Sequence, residues 1–127
     1  MAAIAALGAL SAPATARVFN GSSSTNRVVG TKKADRIVLN AGNDRARGLG
    51  GADRIFGGAG KDRLRGEAGG DRLSGGKGGD QLIGGKGRDR FDGGAGNDVI
   101  NAVDRRKDAR VKRLSGSSWN FDGGPVG

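Results

Sequence analysis

The chain has 127 residues, 27 of them glycine, and contains neither cysteine nor histidine. Their absence excludes disulfide bonds, the usual zinc, haem and iron–sulfur ligands, and catalysis by Ser–His–Asp or Cys–His arrangements. The formal net charge of +9 permits binding to polyanions without specifying a partner. Aspartate and backbone carbonyl oxygens remain as abundant ligands, and these hard donors suit calcium best.

Residues 1–16 resemble the end of a secretory signal peptide. An apolar stretch over residues 2–10 leads to Ala14-Thr15-Ala16, which fits an A-x-A cleavage pattern. The stretch is too short to span a membrane. No lysine or arginine precedes it, which departs from the usual signal-peptide pattern, whereas the apolar stretch and the cleavage pattern fit it. We therefore expect export and no transmembrane segment. The alternative is an uncleaved, loosely ordered N-terminus.

A nine-residue unit repeats nine times in one register from Gly21 to Asn101. Copies at 57–65, 75–83, 84–92 and 93–101 match glycine-glycine-any-glycine-any-aspartate-any-apolar-any at every fixed slot. The sixth slot carries aspartate in every unit after the first, which has Asn26. The eighth slot is apolar throughout, with Ala46 its only small member. A fixed period of this kind is the signature of a repeat architecture.

Each unit divides into a six-residue turn and a three-residue strand, in which the apolar slot points opposite to its two neighbours. A three-residue strand cannot form a stable sheet alone, so we expect each strand to pair with the strand two units away. Two units then make one coil of a two-sheet β-solenoid. Its core is thin, with one apolar slot per nine residues, so the fold needs a further stabiliser. Metal binding is the obvious candidate, because it couples directly to folding.

The unit GGxGxDxUx, with U apolar, resembles the hemolysin-type calcium-binding (RTX) family over residues 21–101. The resemblance implies an all-β fold, a parallel β-roll (a two-sheet β-solenoid) over residues 17–101 built from the nine nonapeptide repeats of residues 21–101. It also implies calcium ions between turns that are two units apart. In the family each turn offers carbonyl oxygens and one carboxylate, and two turns complete the shell of one ion. With the N-terminal segment, it implies a secreted bacterial protein that folds on calcium outside the cell.

Carried over to this chain, the resemblance implies about five good calcium sites. One edge pairs Asp44 with Asp62, Asp62 with Asp80, and Asp80 with Asp98; the other pairs Asp53 with Asp71 and Asp71 with Asp89. The carbonyl donors belong to glycine turns, best preserved at Gly57, Gly58, Gly60, Gly75, Gly76, Gly78, Gly84, Gly85, Gly87, Gly93, Gly94 and Gly96.

The first two units depart from the family pattern. Asp35 with Asp53 is a weaker sixth site, because the turn of Asp35 lacks two glycines and carries Lys32 and Lys33. Asn26 with Asp44 is weaker still, because Asn26 brings no charge. We therefore predict that these units act mainly as a cap. Ordinary turn chemistry is the alternative interpretation of the aspartates, but eight aspartates in one slot disfavour it.

The seventh slot is arginine in most units. In the two-sheet solenoid, one outer face would carry Arg36, Arg54, Arg72 and Arg90, and the other Arg27, Arg45 and Arg63 with Arg47 and Arg65. One interpretation is a solvated face that maintains solubility. The other is a cationic surface for anionic polymers such as envelope glycans, lipopolysaccharide or extracellular nucleic acid. The scarcity of aromatic residues disfavours sequence-specific recognition of nucleic acid.

Residues 102–127 leave the pattern. The charge-dense stretch 102–114 fits a short helix or a fraying strand, and 115–127 is a Gly/Ser-rich tail. We expect this tail to be poorly ordered unless Trp119 and Phe121 fold back over the last coil.

Paired carboxylates could support glycan hydrolysis, but the aspartates have calcium-site spacing and Glu67 is the sole glutamate. We therefore predict a non-catalytic, calcium-dependent structural module, with a cationic adhesion module as the alternative.

Overall fold

The computed structural model describes residues 17–102, 110–114, 118–121 and 124–125. The predicted signal peptide, residues 1–16, lies outside this range, as does most of the charged stretch that follows Ala102. The described residues form strands and no helix, so none of them provides a helix long and apolar enough to cross a membrane.

The strands of the described residues follow one another in chain order. They are β1 (Val18–Asn20), β2 (Arg27–Val29), β3 (Arg36–Val38), β4 (Arg45–Leu49), β5 (Arg54–Ala59), β6 (Arg63–Ala68), β7 (Arg72–Lys77), β8 (Gln81–Lys86), β9 (Arg90–Ala95), β10 (Val99–Ala102), β11 (Arg110–Leu114), β12 (Ser118–Phe121) and β13 (Gly124–Pro125). From β2 to β10 they begin at nine-residue intervals, as the repeat predicts.

Alternate strands enter opposite sheets. Sheet A has the order β1-β3-β5-β7-β9-β11, and sheet B the order β13-β12-β10-β8-β6-β4-β2. Neighbouring strands are parallel except β12 and β13. Within the repeat, partners lie 18 residues apart, as in Arg36 with Arg54 and Ile37 with Ile55. Two units therefore form one coil, and the predicted all-β parallel solenoid is confirmed, with about five turns.

The core is one cluster of apolar side chains between the two sheets, with each sheet contributing its own column. Period-two alternation in each strand turns the eighth slot inward and its neighbours outward. The buried members of this slot are Ile37, Ala46, Ile55, Leu64, Leu73, Leu82, Phe91 and Ile100, preceded by Phe19. Val28 is only partly buried and packs against this hydrophobic cluster. The predicted core slot is thus correct along the described repeats.

Leu39 is a core residue that the repeat analysis missed. It occupies the first slot, which is glycine in most units, yet it is fully buried in the hydrophobic cluster. Ile37 and Leu39 lie two residues apart, so an extended backbone turns both toward the same face. That short alternation was the available signal, and the glycine consensus obscured it.

The strands are longer than the three residues predicted. β1, β2 and β3 have that length, but β5 to β9 each span six residues. The ladder continues into the turn, where Gly58 pairs with Gly76 and Ala59 with Lys77. Gly58 adopts a φ of +105°, a conformation that glycine tolerates and that lets the backbone bend while it keeps pairing. The sheets therefore curl around the edges of the solenoid.

The two sheets continue beyond Asn101, where the nonapeptide pattern ends. Strand β11 adds to β9 with Arg110 beside Arg90, and β12 adds to β10 with Trp119 beside Ile100. These registers depart from the 18-residue offset of the repeat. For the stretch 102–114, which the sequence predicts to be a short helix or a fraying strand, the described residues 110–114 form a strand. Trp119 and Phe121 both belong to β12.

Candidate metal-binding turns

The sixth-slot aspartates form two columns, one along each edge of the solenoid. One column contains Asp35, Asp53, Asp71 and Asp89, and the other contains Asp44, Asp62, Asp80 and Asp98. All eight side chains are buried, with at most 3% of their surface exposed. The structure therefore brings together the same aspartates that the repeat pairs at 18-residue spacing.

One carboxylate oxygen of each aspartate links two coils. The backbone N–H of Asp44 donates to Oδ1 of Asp62 at 2.8 Å, and that of Asp62 donates to Oδ1 of Asp80 at 2.8 Å. On the other edge, the N–H of Asp53 donates to Oδ1 of Asp71 at 2.8 Å. Each column is therefore a continuous ladder of amide-to-carboxylate bonds.

The second carboxylate oxygen is unsatisfied in several turns. Oδ2 of Asp44, Asp53, Asp62 and Asp80 is buried and has no hydrogen-bond partner among the described residues. Burying a charged oxygen without a partner costs several kcal/mol, so such groups are normally paired or bound to a metal. A cation at these turns would remove that cost.

Glycine in the first slot makes room for these carboxylates. A Cβ added to Gly57 would collide with Oδ2 of Asp62 and would lie 2.6 Å from the carbonyl oxygen of Gly75. A Cβ on Gly75 would collide in the same way with Oδ2 of Asp80. Carboxylate and carbonyl oxygens therefore crowd around the first-slot Cα atoms, where no side chain fits.

Glycines in the second and fourth slots stack carbonyl groups between coils. Gly58 and Gly60 have φ values of +105° and +123°. A Cβ on either would overlap the carbonyl oxygen one coil earlier, that of Asn40 or Gly42 respectively. The remaining predicted glycines occupy equivalent places in their turns, so each edge combines carbonyl and carboxylate oxygens. This is a hard-oxygen donor set of the kind that calcium prefers.

The first two units satisfy their sixth-slot side chains without a metal. The Thr31 N–H donates to Oδ2 of Asp35 at 2.5 Å, and the Thr31 hydroxyl lies 3.0 Å from both of its carboxylate oxygens. In the first unit, the Ser22 N–H donates to Oδ1 of Asn26 at 2.6 Å. Sequence analysis missed this role of a second-slot hydroxyl. The available signal was Ser or Thr four residues before Asn or Asp, a local hydrogen-bonding motif.

No group of three or more Asp, Glu, His or Cys side chains comes together in the described part of the chain. The donors at these edges are instead paired aspartates from successive coils and backbone carbonyl groups.

The edge turns bury their carboxyl groups, which makes the ionised form unfavourable. Burial raises the pKa of Asp53 to about 6 and that of Asp80 to about 7. The backbone N–H bond lowers both values, and the neighbouring aspartates of the same column raise them. Burial also raises the pKa of Asp44 and Asp62. Without a bound cation, the ionised forms of these carboxyl groups are therefore less favourable at neutral pH in the folded state than in the unfolded state.

We expect acidification to stabilise the metal-free fold. The folded-state pKa values of Asp53 and Asp80, about 6 and about 7, lie above the unfolded value near 3.9. Their contribution is therefore fully present below about pH 4 and is lost as the pH rises through 6 to 7. In metal-free buffer, β-structure measured by circular dichroism should be greater at pH 5 than at pH 8. Equal or smaller β content at pH 5 would contradict the raised pKa values of Asp53 and Asp80. Repulsion between the basic side chains has the opposite effect, because it increases as the carboxylates are protonated and so destabilises the fold at low pH.

Comparison with known proteins identifies the repeat. The model of the RTX calcium-binding nonapeptide repeat matches in four overlapping copies, at residues 20–51, 40–73, 47–82 and 65–100. No match was found among curated proteins or among solved structures. The matched segments cover more than half of the chain and coincide with the aspartate columns and glycine turns. This chain therefore belongs to the RTX calcium-binding nonapeptide repeat family and contains a calcium-binding structural module.

Proposed function

We propose that this protein is a secreted, non-catalytic module that folds when calcium enters its edge turns outside the cell. The observation that carries the proposal is the buried, unpartnered Oδ2 of Asp44, Asp53, Asp62 and Asp80 within the described residues. These atoms lie in turns that match the calcium-binding repeat, and a divalent ion would neutralise them.

We assign about five sites, each between two coils. The ligands would be the carboxylates Asp44, Asp53, Asp62, Asp71, Asp80, Asp89 and Asp98, with carbonyl groups of their glycine turns. Asp35 would contribute little, because Thr31 already donates to it. The N-terminal units then form a cap that does not depend on the metal.

The expected binding energy is large enough to control folding. At about 2 mM calcium and a dissociation constant of about 0.1 mM, each site contributes about 1.8 kcal/mol. Five independent sites would contribute about 9 kcal/mol, which is comparable with the total stability of a typical domain. Such sites would be almost empty at the micromolar concentrations to which cytosolic sensors respond. This supports folding after export, as does the signal-like sequence of residues 1–16.

Calcium titration of the metal-free chain tests the proposal. We expect a largely disordered far-ultraviolet spectrum in chelator, a β-rich spectrum in millimolar calcium, and about five ions bound per chain by calorimetry. Magnesium at equal concentration serves as the control, because its strict octahedral geometry suits these turns poorly. Identical β-rich spectra with chelator and with calcium would contradict calcium-dependent folding.

A second candidate function is binding to anionic polymers. The arginines of the seventh slot are exposed on the outer faces of both sheets. Five calcium ions would add ten positive charges to the formal net charge of +9. Retention on heparin that decreases with salt would support this candidate, and no retention at low salt would exclude it.

A further inference from the structure

A groove crosses the outer face of sheet A along the solenoid axis. One wall is the arginine ladder, which we define as Arg36, Arg54, Arg72 and Arg90. The other wall contains Phe56, Ser74 and Asp92. The groove encloses about 460 Å³ and crosses strands β3, β5, β7 and β9.

The arginine ladder places four like charges in direct register. Arg36 pairs with Arg54, Arg54 with Arg72, and Arg72 with Arg90. Adjacent strands lie about 4.8 Å apart, so the ladder is about 14 Å long. All four side chains are exposed, and none forms an ion pair in the described part of the chain. Like charges directly opposite one another in a sheet destabilise it, and a bound polyanion would relieve this repulsion.

The opposite wall is suited to a sugar chain. The Phe56 ring centroid lies 5.3 Å from the guanidinium carbon of Arg36, which orients one end of the ladder. Ser74 presents a hydroxyl group. Asp92 is only partly buried in this wall, and its Oδ1 has no hydrogen-bond partner among the described residues, so rotation of the carboxylate toward the groove would let this oxygen accept from a donor. Sugar hydroxyl groups can donate to it, whereas the sugar-phosphate backbone of DNA offers acceptors only.

The outer face of sheet B is less suitable. Its column of Arg27, Arg45 and Arg63 is followed by Gln81 in the next coil. Arg47 in the adjacent column is paired with Glu67, with Nη2 2.7 Å from Oε1. This face therefore carries its five arginines in two shorter columns, with Arg65 beside Arg47, and Glu67 neutralises one of them. Among the described residues, only sheet A has four arginines in one unbroken column.

We propose that the groove beside the arginine ladder binds a linear acidic polysaccharide along the solenoid axis. Anionic groups of the polymer would contact the guanidinium groups, while its hydroxyl groups would contact Ser74 and Asp92. Single-stranded nucleic acid is disfavoured because it requires a series of stacking aromatic rings. Phe56 is the only aromatic side chain in the wall opposite the ladder.

Calcium controls this binding, and this part of the inference rests on the proposed function. Successive ladder members are 18 residues apart in sequence, so only the folded coil brings them into line. A polysaccharide that binds the folded state alone must in turn favour calcium binding, because coupling between two ligands is reciprocal.

The full-length chain in 2 mM calcium and physiological salt provides the test, with heparin as the acidic polysaccharide. The variant Arg54→Ser/Arg72→Ser should bind heparin about tenfold more weakly, since two exposed charges are removed. The matched control Arg45→Ser/Arg63→Ser removes the same charge from sheet B and should bind nearly as well as the wild type. Equal losses in the two variants, or no loss in either, would overturn the assignment of the groove.

Asp92→Ala separates sugar recognition from general charge attraction. Loss of a hydroxyl acceptor should weaken heparin binding, whereas simple electrostatics predicts stronger binding when a negative charge is removed. Stronger heparin binding, or ladder-dependent binding of oligo-dT as tight as that of heparin, would overturn the polysaccharide assignment.

Circular dichroism of the same samples separates the two proposals. Heparin binding should disappear in chelator, and saturating heparin should lower the calcium concentration at the folding midpoint. Calcium-induced folding without heparin binding would refute only the groove. Equal heparin binding in chelator and in calcium would refute the calcium control.

Discussion

Asp80→Asn is expected to remove about two calcium ions and to lower stability in 2 mM calcium by about 3.6 kcal/mol. Asp80 lies between Asp62 and Asp98 in its column and would contribute to both sites. Asparagine keeps an Oδ1 acceptor for the Asp62 N–H, so the ladder between coils is retained. Urea unfolding in calcium and calorimetric stoichiometry measure the two effects.

The same substitution should have the opposite effect without calcium. Burial raises the pKa of Asp80 to about 7, so a neutral amide relieves an unfavourable charge in the metal-free fold. Asp35→Asn is the matched control, because Thr31 and the Arg17 N–H already donate to this carboxylate, and the proposed cap would need no ion. It should leave the calcium stoichiometry unchanged. If Asp80→Asn and Asp35→Asn lose the same number of ions, the distinction between site and cap is wrong.

Gly51→Ala is expected to lower the free energy of unfolding by about 2–5 kcal/mol in saturating calcium. Gly51 has a φ of +87°, which costs an L-residue about 1–2 kcal/mol. The new methyl group would also collide with the peptide between Lys33 and Ala34, and such overpacking costs about 1–3 kcal/mol. Urea denaturation at fixed calcium concentration measures the loss.

The adjacent residue provides the control for this prediction. A Cβ on Gly50 would meet its nearest neighbour, Lys32, at 3.4 Å, an ordinary contact, and its φ is not in the left-handed region. Gly50→Ala should therefore be neutral or stabilising by up to about 1 kcal/mol, because it restricts the unfolded chain. A similar loss in both variants would mean that glycine content, rather than these particular conformations, determines stability.

The nine-residue repeat predicted the architecture because its period determines which side chains face inward and which strands pair. One inward-facing slot per nine residues determines which side chains enter the core, and alternate units must enter opposite sheets. Ile55 and Leu64, for example, are buried because their slot faces inward in every coil. The two aspartate columns follow from the same 18-residue spacing.

Features that depend on exceptions to the consensus could not be predicted in this way. Leu39 joins the core from a slot that is otherwise glycine, and Thr31 replaces a glycine with a hydroxyl group that bonds to Asp35. The unpartnered oxygen of Asp92 lies in a variable slot, where the repeat specifies no chemistry. The strands β11 and β12 continue the sheets without the nonapeptide, because main-chain pairing at an open edge requires no particular side chain.

If calcium controls folding as proposed, the hydroxyl-capped turns at Ser22 and Thr31 would give the solenoid a direction of growth. In a stacked array the first coil is the least favourable to form, because its backbone loses conformational entropy before a neighbouring coil is present to pair with it. Here the turns of that coil close through their own hydrogen bonds, whereas in the proposed function later coils would depend on an ion shared with the preceding one. Folding would then begin at the N-terminal coil and propagate toward the C-terminus. Calcium would determine how many coils fold, rather than where folding begins.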